Sequence, residues 1–212
     1  MPEPINLGQE NIWDFIMDEY KTIANISEGY ITEQRSKFIS FALPVQTPEE
    51  VKEKVDTFRK QYYDARHVCW AYMLGADRTV FRANDDGEPS STAGKPILGV
   101  INSNGLTDIL IVVIRYFGGV KLGTSGLIVA YRAAAQDAVD NAEIIEKTVD
   151  EDITIIFEYP FLNGIMKVIK EDNPQIISQQ FDMDCEMTLR IRKGEIEKLK
   201  SKLLKVDSAR IK

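Results

Sequence analysis

The chain has one histidine, His67, and two cysteines, Cys69 and Cys185, in 212 residues. A zinc site built from cysteine and histidine is therefore nearly excluded, as is a small scaffold stapled by disulfides. No stretch approaches the roughly 18 uncharged apolar residues that a membrane-spanning helix needs. The first twenty residues carry Glu3, Glu10, Asp14, Asp18 and Glu19 and no Lys or Arg. A signal peptide would carry basic residues there, so the reading is a cytoplasmic protein without a membrane role. What is present is ordinary for a globular chain: 44% hydrophobic, 28% charged and 9% aromatic. That excludes fibrous and wholly disordered classes. The length allows one large domain or two small ones.

The net charge of −7 is unevenly spread. Residues 1–29 hold a single Lys against six acids, and residues 133–212 hold 12 Lys/Arg against 16 Asp/Glu. Residues 30–132 hold 13 Lys/Arg against 11 Asp/Glu, a balance of +2. An acidic protein does not coat DNA generically, so any anion site is expected in the mildly basic middle.

Three segments are expected. Residues 1–27 read as an extension, with Ile12, Phe15, Ile16 and Tyr20 at helical spacing around 9–23. Residues 28–147 read as a first domain. Its pattern is two strands joined at Glu33–Lys37, a helix opened by Thr47-Pro48-Glu49-Glu50, and a strand over Val68–Leu74 with a hairpin partner at Arg78–Ala83. A helix over 93–103 follows, then a central strand over 108–117, a glycine-rich turn over 118–126 and an alanine-rich helix over 127–142. Residues 148–212 restart in the order β-α-β-β-α-β, a split βαβ arrangement of ferredoxin-like type. The fold class is therefore α+β.

Four places could carry chemistry. The acidic loop Asp85-Asp86-Gly87-Glu88 could offer oxygen ligands to a hard cation, but its spacing is not that of a calcium loop. Its other readings are turn and helix-cap hydrogen bonding or recognition of a substrate or partner. The segment Arg115-Tyr-Phe-Gly-Gly-Val-Lys-Leu-Gly-Thr-Ser-Gly126 is strand, glycine loop and helix start. Gly118 and Gly123 have the G-x4-G spacing of a phosphate loop, with Gly119 between them, but Thr124 stands where the lysine belongs. ATP hydrolysis is thus not expected. Anion binding at the helix N-terminus, with Arg115 and Lys121 nearby, stands beside a plain packing turn. His67 could act as a general base with Asp85, Asp86 or Glu88 and a serine hydroxyl, or could only cap a strand end. Arg35 and Lys37 could be a solvated hairpin end, or join Arg66, Arg115 and Lys121 in an anion-binding face. No metal and no cofactor is expected.

Several strings occur together and in order: Arg35-Ser-Lys-Phe38, Asp64-Ala-Arg-His-Val-Cys-Trp-Ala-Tyr72, Asp85-Asp-Gly-Glu-Pro-Ser90 with Thr92-Ala-Gly-Lys-Pro96, and Arg115-Tyr-Phe-Gly-Gly-Val-Lys-Leu-Gly123. Through them the chain resembles the YigZ/YvyE–Impact family, bacterial relatives of the eukaryotic Impact translation regulator. The resemblance covers residues 30–142. It implies a first domain of ribosomal-protein type, a four-stranded sheet backed by two helices. It also implies a second domain similar to the last domain of elongation factor G. Ser91 departs from the pattern, which has glycine there, and this puts a positive φ in that loop in question. The implied function is a regulator or accessory factor in translation that binds RNA, a ribosome-associated factor or a protein. The alternative is a hydrolase-like enzyme using His67 and the acidic loop. A binding module should present Arg35, Lys37, Arg66, Arg115 and Lys121 on one exposed face; an enzyme should gather His67 and the acidic loop in a cleft.

Overall fold

A computed structural model describes residues 18–182 and 184–212. The described chain is mixed α/β with antiparallel sheets. The described residues divide into two compact units, one spanning Tyr20–Lys147 and the other combining Asp18 and Glu19 with Thr148–Lys212.

Strand β1 (Glu19–Ile23) pairs with β7 (Ile144–Thr148) as a two-stranded sheet, each strand lying in the first unit except for Glu19 and Thr148. The main sheet has five strands in the order β2-β3-β6-β4-β5. These are β2 (Ser27–Glu33), β3 (Ser36–Pro44), β4 (His67–Leu74), β5 (Val80–Asn84) and β6 (Ile109–Tyr116). Strand β6 is central because Ile109 to Arg115 are buried whichever face they point to. Strands β3 and β4 both run antiparallel to β6. They are therefore parallel to each other, and α1 (Pro48–Gln61) crosses between them. Helix α1 starts where its sequence dictates: the Thr47 hydroxyl accepts from the Glu50 N–H at 3.1 Å, and the Glu50 carboxylate accepts from the Gln46 N–H at 2.9 Å.

Both sheet faces are covered. Helix α1 packs Val51, Val55 and Phe58 onto Phe41, Val68, Tyr72 and Val112. On the other face α2 (Gly94–Ser103) and α3 (Gly123–Asp140) cover Phe38, Ala42, Cys69, Ile111 and Val113. The alanines of α3 allow close approach to β2 and β3. There the Ser27 and Ser40 hydroxyls donate to the Ala138 and Ala134 carbonyls at 2.7 and 2.6 Å. A Cβ on Gly29 would collide with the Ala138 backbone.

The second unit runs β8 (Asp150–Glu158), α4 (Leu162–Asp172), β9 (Gln175–Gln180), β10 (Asp184–Arg192), α5 (Ile196–Leu203) and β11 (Arg210–Ile211). Its antiparallel sheet has the order β11-β8-β10-β9. Ile153, Ile155, Phe157, Met187 and Leu189 pack against Ile165, Leu199 and Leu203.

Three expectations need correction. The first unit has five main-sheet strands and helices on both faces, rather than four strands backed by two helices. The four-strand count comes from the resemblance alone; the edge strand β5 overlaps the hairpin partner read at Arg78–Ala83. The extension assigned to residues 1–27 does not reach that far. Residues 9–17 of its helix lie outside the described residues, but Glu19–Ile23 is a strand, Ile23 is buried in the core, and β2 begins at Ser27. Finally, α3 begins at Gly123 rather than Leu127, so the last residues of the glycine-rich segment form its first turn.

Candidate functional site

His67 opens β4 and sits directly opposite Arg115 near the end of β6, so strand register alone makes them neighbours. The loop after β5 brings in Glu88, the β6–α3 connection brings in Phe117, Lys121 and Leu122, and the start of α3 brings in Gly123 and Thr124. Together they line a cleft of about 350 Å³ that includes Arg66, His67, Glu88, Arg115 and Lys121, with Pro89, Phe117, Leu122 and Leu127 as apolar wall.

The acidic loop separates into three roles. One carboxylate oxygen of Asp85 accepts from the Ala93 and Gly94 N–H groups at 2.9 and 2.8 Å, and the other from Ser91 N–H at 2.8 Å. Asp85 thus caps α2, whose N-cap residue Ala93 supplies no side-chain bond. Asp86 accepts from Arg59 at 2.6 Å and from the Val68 N–H at 2.7 Å. Only Glu88 reaches the cleft. It is buried, and one oxygen accepts from Arg115 Nη1 at 2.6 Å and from the Tyr131 hydroxyl at 2.8 Å. Neither Asp85 nor Asp86 lines the cleft, because backbone donors and Arg59 already hold them. Among the described residues no group of three His, Cys, Asp or Glu could hold a metal ion.

His67 Nδ1 lies 2.8 Å from the Asp86 carbonyl oxygen. A carbonyl only accepts, so Nδ1 carries the proton and Nε2 is turned towards Glu88, 3.8 Å away. Behind this layer the Cys69 thiol donates to the Asp85 carbonyl at 3.0 Å and lies 3.3 Å from the Tyr131 hydroxyl. Burial pushes both the Cys69 thiol and the Tyr131 phenol well above their ordinary values, so neither ionises near neutral pH. Burial also pushes Tyr116 up to about 12, assisted by its hydrogen bond to Asp64.

The cations divide as well. Arg115, expected on an exposed face, is 5% exposed. Its guanidinium faces the Phe38 and Phe117 rings, and its charge is matched by Glu88. The sequence signal was misleading because a strand-end arginine reads as exposed unless its buried carboxylate partner, 27 residues away, is known. Arg66 and Lys121 are exposed and border the cleft. Arg35 and Lys37 are exposed but do not line it. The single exposed face of five cations is therefore not formed.

The glycines also sort by cause. A Cβ on Gly118 would collide with the Arg35 carbonyl, so that glycine serves close packing on the β2–β3 turn. Gly119 and Gly123 have φ of +88° and +71° with open space around them. Gly123 and Thr124 begin α3, which has no side-chain cap and no acid in its first turn. Its N-terminal N–H groups therefore meet the cleft with the positive end of the helix dipole. Ser91, despite its side chain, adopts φ +63°.

Sequence reasoning missed Tyr131 as a Glu88 ligand and Leu122 and Leu127 as wall. A lone tyrosine amid Ala130, Ala133, Ala134 and Ala135 was the available signal, since large polar-tipped rings are placed in small-residue stripes for a partner.

A family model for the Impact N-terminal domain matches residues 34–139. The chain belongs to the Impact family. Impact family member YvyE of Bacillus subtilis is 35% identical over 156 residues, 74% of this chain and 72% of that protein. Impact family member YigZ of Escherichia coli is 32% identical over 172 residues, 80% of this chain and 84% of that one. A crystal structure described only as that of a hypothetical protein superposes with a TM-score of 0.72 at 29% identity, over 92% of this chain and 96% of that chain. All residues lining the cleft lie inside the Impact N-terminal match. No helix of the described residues is long and apolar enough to cross a membrane.

Proposed function

We propose that this Impact family chain is a regulator or accessory factor in translation, and that its first unit contacts RNA phosphates at the cleft. The observation that carries the reading is the meeting of exposed Arg66 and Lys121 with the uncapped N-terminus of α3. Cations and helix N-termini are the two devices that position phosphates. The resemblance to the Impact translation regulator supplies the biological setting and, with it, a cytoplasmic location. The second unit is read as a ferredoxin-like module similar to the last domain of elongation factor G, supported by its β-α-β-β-α-β order and its β11-β8-β10-β9 sheet.

The hydrolase-like alternative retains one observation in its favour, the oriented His67 ring beside Glu88. It has lost Asp85 and Asp86 to structural roles, and Thr124 is the only hydroxyl side chain among the described residues lining the cleft. RNA binding is tested by filter binding of a short single strand across a salt series. With so few cations a log–log slope of about −2 to −4 is expected. The double variant Arg66→Ala/Lys121→Ala should lose most of the affinity while folding normally. No binding at low salt, or an unaffected double variant, would reject RNA in favour of a protein partner.

A further inference from the structure

The cleft lining combines two kinds of surface, and a passing phosphate backbone would use only the cationic one. The cationic surface is Arg66, Lys121 and the first N–H groups of α3. The apolar lining includes Pro89, Leu122 and the Phe117 ring, which is 41% exposed and has the Arg66 and Arg115 guanidiniums 5.7 Å from its centroid. Arg115 also lines the cleft, almost wholly removed from solvent, and its Nε–H is a buried donor with no acceptor among the described residues. A volume of about 350 Å³ is at the small end of ligand pockets. It suits one nucleotide and is too small for a helical stem. An apolar pocket with a few converging polar groups is the usual form of a small-ligand site. A mononucleotide has the matching halves: a flat base for Phe117 and a phosphate for the cations and the helix end.

We propose that the cleft is a site for a terminal nucleotide of RNA, held through its phosphomonoester with the base against Phe117. This rests on the reading that the cleft meets RNA, and narrows it from any backbone phosphate to a chain end. A terminal phosphate carries close to two negative charges near neutral pH, against one on an internal diester. It can also enter a pocket that a continuous chain must bypass. Fixed helix N–H donors and two cations favour the more highly charged group.

The test uses the full chain and three labelled hexaribonucleotides of one sequence. One carries a 5′-phosphate, one a 3′-phosphate and one hydroxyls at both ends, with anisotropy read at physiological salt. One of the phosphorylated strands should bind at least about tenfold more tightly than the hydroxyl strand. The arm that does so identifies the end. Uridine monophosphate should compete. Lys121→Ala should abolish the preference, whereas Lys167→Ala, the same charge change on an exposed lysine of the second unit, should leave it intact. Phe117→Ala should weaken monophosphate competition about fivefold or more, and Phe117→Tyr should restore it. Equal binding of all three strands would overturn the terminal-nucleotide site and leave the backbone reading standing. Absence of binding by any strand would overturn both. A preference that survives Lys121→Ala would overturn the placement in this cleft.

Discussion

Replacing Glu88 by glutamine should be among the most destabilising isosteric changes in the first unit. The carboxylate is nearly enclosed, and Arg115, equally enclosed, has its short ion pair with it. The amide oxygen of the glutamine could still accept from Arg115 and Tyr131, so shape and most hydrogen bonding survive. What is lost is the charge that compensates a guanidinium already removed from water. Removing one member of a buried ion pair costs about 3–5 kcal/mol, and the retained amide oxygen places Glu88→Gln near the lower end. A loss of about 3 kcal/mol raises the unfolded fraction by roughly two orders of magnitude. Native-state hydrogen exchange of the β6 amides reads this directly, because a central strand exchanges through global opening of its unit. Arg115→Met alone should cost a similar amount, by leaving the carboxylate unpaired. The double variant Glu88→Gln/Arg115→Met should be clearly less unstable than the sum of the two, with a coupling of about 2 kcal/mol or more. Additivity within about 0.5 kcal/mol, or a Glu88→Gln loss below about 1 kcal/mol, would refute the argument that the two charges neutralise each other in a dry site.

Asp85→Ala removes three backbone hydrogen bonds at the start of α2 and should cost about 2–3 kcal/mol in chemical denaturation, with Asp85→Asn milder. Ser91→Gly should stabilise by about 0.5 kcal/mol. A side chain at φ +63° costs about 1–2 kcal/mol, and the extra freedom of glycine in the unfolded chain returns only part of that. In the second unit the hydrogen bonds from Arg192 hold the Asp18 carboxyl below its ordinary value of 3.8. Its contribution is therefore complete above about pH 4, where the unfolded chain is also ionised, and is lost as pH falls through the folded value. Urea midpoints should show Asp18→Asn well below wild type at pH 7, with the gap closing below about pH 4. Gly118→Ala should disrupt the β2–β3 turn by more than about 2 kcal/mol, because the added methyl meets backbone that cannot move aside. Gly119→Ala, in open space, should cost only the strain of its positive φ, about 1 kcal/mol; thermal melts compare the two.

Elements whose causes are local were legible in the chain alone. Thr47 and Pro48 announce α1 because capping needs only adjacent residues. The unbroken apolar run Ile109–Ile114 announces a strand buried on both faces because hydrophobic pattern is read one residue at a time. The restart after Val149 is visible for the same reason. The strings around His67, Glu88 and Lys121 also identified the family without any coordinates. Left open was where the partner of each charge lies. Asp18 looked like one more acid in an acidic extension until Arg192, 174 residues away, was found beside it. Arg115 reads as an anion ligand until Glu88 and Tyr131 enclose it, and Asp85 and Asp86 stand open between turn or helix-cap roles and catalysis until backbone N–H groups and Arg59 take up their oxygens. Lys121 and Arg66 carry the same formal charge as Arg115 and were read in the same way. Which of the three faces solvent is settled in three dimensions, because charge is a property of the residue, whereas burial and neutralisation are set by chain segments that meet only when the sheet is assembled.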